Sequence, residues 1–197
     1  MKISEARKLF NTQIKEYREQ QTVLSKQKEE LEKKIKSEKD GNIVYANEAA
    51  TLELTIRAVE EKKNEYQKYM DKIMEKWTAI ANMEATKQQG EAMEEYAVDM
   101  GKIMEVARRI MQGGIVPPTD EKKLMEYSME LYQAAKNIGA MMKQKEREEY
   151  DSLWKDEEEK PVQEDPMEVA DRAEAPSGTP VVVEVADTMA SANGETV

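Results

Sequence analysis

The chain contains no cysteine and no histidine. The first absence removes any disulfide framework, thiolate nucleophile or thiolate metal site. The second removes the commonest general base and the commonest metal ligand. Glycine and proline are scarce, eight and six in 197 residues, so little interrupts a helix. No run approaches the ~18 apolar residues that cross a bilayer. The most apolar stretch, Leu131 to Met142, is short and contains Lys136. The start, Met1 to Lys8, has no apolar run of the signal-peptide kind.

These absences narrow the chemistry. Serine and threonine have no imidazole or thiol beside them to form a nucleophilic pair, and no glycine-rich elbow surrounds a serine. Gly113-Gly114 runs into Ile115-Val116-Pro117-Pro118 rather than Gly-Lys-Ser/Thr, so there is no phosphate cradle. Helical di-iron sites need Glu-x-x-His. Carboxylate pairs such as Glu60-Glu61 and Glu94-Glu95 read as solvated helix faces in a chain that is 36% charged. The expectation is a protein that is not an enzyme and that holds no cofactor and no metal.

What is present is lysine, glutamate and methionine. The net charge is -11, and it is unevenly placed: residues 156–197 hold 12 acidic and 2 basic residues, while the rest is almost balanced. A mixed body offers no basic stripe for a phosphate backbone, and an acidic tail repels nucleic acid and anionic membrane alike. The expected setting is cytoplasmic, with no nucleic-acid or membrane partner.

Hydrophobic spacing gives the fold. Ile3, Phe10, Tyr17, Leu24 and Leu31 recur every seven residues, with Ile14 and Ile35 on a second line. Ser4 is a candidate N-cap. After Asp40-Gly41-Asn42, which can close a helix, the pattern resumes with Tyr45, Leu52, Val59, Tyr66, Ile73 and Ile80. Beside it run Ala49, Ile56, Lys63, Met70 and Trp77. Two heptad helices joined by so short a turn lie antiparallel. Stacking the layers places Leu24 near Ile56 and Phe10 near Met70, but the register is left open. Gln21, Lys28 and Lys63 are polar positions on these lines; they either fix the register or let their stems snorkel.

The pattern breaks at 84–90 and resumes one position out of phase, which predicts a loop or a phase shift in a continuous helix. Residues 91–112 form the third segment. Thr119-Asp120-Glu121 opens a fourth, carried to 155. The predicted organisation is all-α: a long antiparallel coiled-coil hairpin (4–39 and 43–87), a shorter helical hairpin (91–112 and 119–155), and a disordered acidic C-terminal tail over 156–197. Val181 to Val185 is a β-prone island that either adds to a partner's sheet edge or is an apolar tract in a loose tail. Glu195-Thr196-Val197 is a weak candidate for a carboxylate-binding groove.

Two features point to protein partners. Eleven of 14 methionines fall between Met70 and Met142, and Met-rich faces suit adaptable binding surfaces as well as cores. Met93, Met100, Met104 and Met111 lie on one helical stripe. Tyr150, Leu153 and Trp154 form an aromatic cluster before the acidic run, either a docking motif or a strap folded onto the first hairpin. These seven residues are the candidate partner-binding set. The hairpin lacks the Trp-x-Gly turn and Tyr-x-x-x-Asp/Glu signal of the small helical hairpins of type VII export. In heptads, size and mixed charge it is similar in outline to the coiled-coil stalk and chaperone proteins of flagellar and type III export, and no family is identified on that outline. The expected function is a non-catalytic helical adaptor or chaperone-like protein; the alternative is a self-assembling structural coiled coil, a homo-oligomer serving as scaffold or spacer.

Overall fold

A computed structural model describes residues 1–142, 147–155 and 162–194. The chain is all-α. In order, the helices are α1 (Ile3–Ser37), α2 (Gly41–Val44), α3 (Ala46–Met111), α4 (Pro118–Tyr127), α5 (Met129–Met141), α6 (Pro166–Arg172) and α7 (Val185–Ala192). Two compact units are distinguished: Met1–Glu84 with Glu164–Val197, and Ala85–Gln163.

In the first unit the heptad lines meet as their spacing requires. Ile3, Phe10, Tyr17, Leu24 and Leu31 are all at most 5% exposed, and Val59, Tyr66 and Ile73 on α3 are fully buried. The helices are antiparallel, with Arg7 over Trp77 at one level and Arg18 bonded to Gln67 at another. The register follows from a polar pair in the seam: the Lys63 ammonium donates to the Gln21 amide oxygen at 2.7 Å. Of the three polar seam positions, these two answer each other, the use to which coiled coils put such residues. The turn is made by Asp40 in the left-handed region (φ 64°), which a short polar side chain tolerates.

Two boundaries differ from the sequence expectation, and at a third, 84–90, the structure takes the continuous helix of the two readings offered. Helix α1 begins at Ile3 with Lys2 as N-cap rather than at Ser4. Its first N–H, on Ile3, donates to the Ala173 carbonyl at 2.9 Å, so a distant backbone supplies what a serine cap would. No loop forms at 84–90; α3 passes through Gly90 unbroken. A single interior glycine costs ~1 kcal/mol, less than ending and restarting a helix. The fourth segment is divided. Ser128 leaves helical geometry (φ -157°) and its hydroxyl accepts the Leu131 N–H, ending α4 and capping α5. Residues 147–155 are not helical.

The largest difference is the tail. Its described part, residues 162–194, is not disordered: it carries α6 and α7 and packs on the first hairpin. Ala170 is fully buried, and Ala173, Ala175, Val185 and Met189 lie against the hairpin core. The Glu195-Thr196-Val197 proposal lies outside the described residues.

The second unit is closed over the C-terminal part of α3. Val106, Ala107 and Ile110 pack with Val116, Leu124 and Ala135. Gly113, at φ 84°, turns the chain out of α3. Helix α5 approaches α3 so closely that a Cβ on Gly139 would sit 2.1 Å from the Ile110 carbonyl oxygen. A backbone atom cannot yield as a side chain would. Gly139→Ala is therefore expected to destabilise the second unit by about 1–3 kcal/mol, the usual cost of overpacking, measured by chemical denaturation; Gly90→Ala, which meets nothing within 4 Å, should not destabilise.

Candidate functional site

The first unit presents a row of aromatic rings. Tyr17 meets Tyr66 edge-on at 5.5 Å, Tyr66 meets Phe10 at 5.5 Å, and Phe10 meets Tyr69 edge-on at 4.9 Å. These rings pack in the α1–α3 seam, and the three phenolic hydroxyls all turn toward the C-terminal segment. Tyr69 donates to the Pro176 carbonyl at 2.7 Å and lies 2.9 Å from the Thr179 hydroxyl. Tyr66 donates to the Val181 carbonyl at 3.1 Å and accepts from the Val183 N–H at 2.9 Å. Tyr17 donates to the Val183 carbonyl at 3.0 Å and lies 2.7 Å from the Thr188 hydroxyl.

Both ends of the segment are also tied. Asp171 accepts from the Trp77 indole N–H at 2.7 Å and from Arg7 at 3.1 Å, while Arg7 lies 5.1 Å over the Trp77 ring. The exposed ion pair by itself contributes little; the indole bond to the same oxygen fixes its position. Farther on, the Thr55 hydroxyl donates to Asn193 at 2.7 Å. The segment thus follows α1 from its N-terminus along the whole aromatic row. The Val181–Val185 island does not form a strand: Val181 to Glu184 is non-helical and α7 starts at Val185.

A different anchor holds the Tyr150–Trp154 cluster, in the second unit. Asp120, 1% exposed in the first turn of α4, accepts from the Ser152 hydroxyl at 2.6 Å and the Leu153 N–H at 3.0 Å. The segment also pairs with the α3–α4 connector, Ile115 donating to Glu148 and Tyr150 to Ile115. Tyr150, Leu153 and Trp154 are half-buried against the core of this unit. The Trp154 indole donates to Asp99 at 3.1 Å, with Lys102 and Lys123 over the ring. The cluster is neither a free motif nor a strap on the first hairpin.

The methionine stripe is split along its length. Ala107 is buried and Met111 half-buried against the second core, Met100 is half-buried, and Met104 and Met93 are 50% and 67% exposed. Tyr96, beside them, is 63% exposed. Nearly every residue of α3 from 85 to 98 is exposed. Of the seven candidate residues the structure leaves Met93 and Met104 open, half-buries Met100, and packs Met111, Tyr150, Leu153 and Trp154 on the second core. Sequence reasoning missed Tyr69, Arg7, Asp171 and Asp120. Tyr69 lies off both heptad lines; its signal was the line Thr55, Lys62, Tyr69 flanking the seam.

Among the described residues no helix is long and apolar enough to cross a membrane, and no cluster of three or more acidic side chains is placed to hold a metal ion. Comparison with known families, curated proteins and solved structures returns no match.

Two outcomes are expected. Burial is the main cause that pushes the Tyr17 phenol up from 10.0 to about 12, so folding favours its protonated form. The stability it contributes is complete below pH 10.0 and is lost as pH rises to about 12. The difference in tyrosinate absorbance between the wild type and Tyr17→Phe should titrate near the upper value; a midpoint at 10.0 would mean the hydroxyl is not held. Asp120→Ala leaves the Leu153 N–H and Ser152 hydroxyl without their acceptor. It should cost about 2–4 kcal/mol and speed proteolysis within residues 147–155.

Proposed function

We propose that the protein is a non-catalytic helical adaptor, chaperone-like in kind, that holds a protein partner in the cytoplasm through the open end of the methionine stripe on α3. The observation that carries this reading is the exposure of Met93, Tyr96 and Met104 on a helix whose stripe is covered only farther along. An isolated stretch of bare helix is marginal in water. Here it is part of α3, 66 residues long, and so presents its apolar stripe without having to fold on binding. Flexible methionine adapts to more than one partner surface, and contiguous exposed apolar side chains mark interaction sites.

The alternative, a self-assembling coiled coil, needs heptad lines free to pair between chains. Those lines are spent inside one chain, where Phe10, Tyr17, Val59 and Tyr66 are fully buried, and this supports the adaptor reading.

The test is a paired substitution, Met93→Glu with Met104→Glu, compared with wild type in co-purification and in light scattering. Both side chains are exposed, so stability should stay within about 0.5 kcal/mol and helical circular dichroism should not change. A partner recovered in fixed ratio with wild type should be lost. Loss of helicity instead would assign the stripe to the core. Retention of the partner would move the site elsewhere. A wild-type mass above 22.6 kDa without a partner, falling to that value in the variant, would leave self-assembly.

A further inference from the structure

The hydrogen bonds that seat the C-terminal segment on the aromatic row go chiefly to its main chain. Tyr69 takes the Pro176 carbonyl, Tyr66 takes the Val181 carbonyl and the Val183 N–H, and Tyr17 takes the Val183 carbonyl. Two side chains in this stretch face outward, Val181 at 74% and Val182 at 41% exposed. Reading alternate main-chain groups of an extended segment, while leaving part of its side chains in solvent, is how grooves and sheet edges take peptides from other molecules. Here the readers are phenols on two helices rather than a strand. Polar side chains are read at Asp171 by Trp77 and Arg7, at Thr179 by Tyr69, at Thr188 by Tyr17 and at Asn193 by Thr55, and Ala173, Ala175, Val185 and Met189 pack on the hairpin core.

We infer that this face of the first hairpin is a peptide-docking groove, and that residues 171–193 are a built-in ligand which an acidic, extended segment of a partner protein replaces. The replacing segment carries a carboxylate for Trp77 and Arg7, bends at Tyr69 as the seated chain does at Ser177–Gly178, runs non-helical past Tyr66, and ends in a short helix with a hydroxyl toward Tyr17. The groove suits an acidic segment because Arg7 and the Trp77 indole stand at its entry and hold the Asp171 carboxylate, and because the seated residues 171–193 carry four acids against the single base Arg172. Covalent attachment gives the built-in copy a local concentration of roughly millimolar. A partner's segment therefore competes best once that copy is detached. This surface is separate from the α3 stripe and does not depend on it.

The probe is a fluorescent synthetic peptide of residues 162–197, titrated against full-length protein that carries a specific protease site within residues 156–161. After cleavage the peptide should exchange with the retained fragment while helical circular dichroism is unchanged. Uncleaved protein should bind it at least about tenfold more weakly. Substitutions in the peptide test recognition without touching the fold. Val183→Pro removes the N–H given to Tyr66 and should weaken binding about tenfold. Val182→Ala should stay within about twofold. A fragment that never exchanges, or that leaves only as helicity is lost, makes the segment an ordinary part of the core and overturns the inference. Equal losses for the two peptides would overturn main-chain recognition and with it the groove.

Discussion

A phenolic hydroxyl carried on a buried ring must find a hydrogen-bond partner or cost the folded state the full desolvation of that group. The first unit has three in a row, on Tyr17, Tyr66 and Tyr69, because their rings pack in succession, Tyr17 edge-on to Tyr66, Tyr66 tilted on Phe10 and Phe10 edge-on to Tyr69. Within the two helices the N–H groups are already used in the helical ladders, and the row's hydroxyls take their main-chain partners from the non-helical part of the C-terminal segment, which supplies the Pro176, Val181 and Val183 carbonyls and the Val183 N–H. The path of that segment, the cap it gives to α1 and the position of Asp171 beside Trp77 all follow from where the hydroxyls emerge.

This explains what the sequence made legible. Heptad spacing is a property of the chain alone, and it identified the seam of α1 and of the first part of α3, with Phe10, Tyr17, Leu24, Val59, Tyr66 and Ile73 all buried. Gln21 and Lys63 were visible as exceptions on those lines, and their bond supplies the register that apolar layers leave degenerate. The docked tail was not legible. Its acidity, prolines and lack of periodicity are the marks of a segment that cannot bury enough surface by itself, and it does not fold by itself: α6 and α7 are short, and the residues between are held from outside. Tyr69 and Thr55 were hidden for a related reason. They flank the seam, where a two-stranded coiled coil meets water, and only a third layer buries them.

The second unit shows the same limit in another form. A stripe of methionine and alanine states that one face of a helix is apolar, not how far along it a cover extends. That is set by Asp120, whose carboxylate ties the Ser152–Leu153 strap across the α3–α4 connector. A buried acid in the first turn of a helix reads from sequence as a favourable dipole contact, and its hydrogen-bonding task appears only when residues 32 and 33 positions away arrive beside it. Leu153 and Trp154 pack on the core that buries Ala107 and half-buries Met111, while Met93 stays 67% exposed. The candidate interface is thus defined by the reach of a polar anchor.

The chain order of the two units has a consequence for biosynthesis. Residues 85–163 are inserted within a unit whose remaining part is made later. Domains made first usually fold first. Here the second unit can be complete while the first still has an open aromatic row, its tyrosine hydroxyls wet and its Trp77 without Asp171. Until the C-terminal segment has left the ribosome, the aromatic row between α1 and α3 has no cover. The unit begun first is closed last.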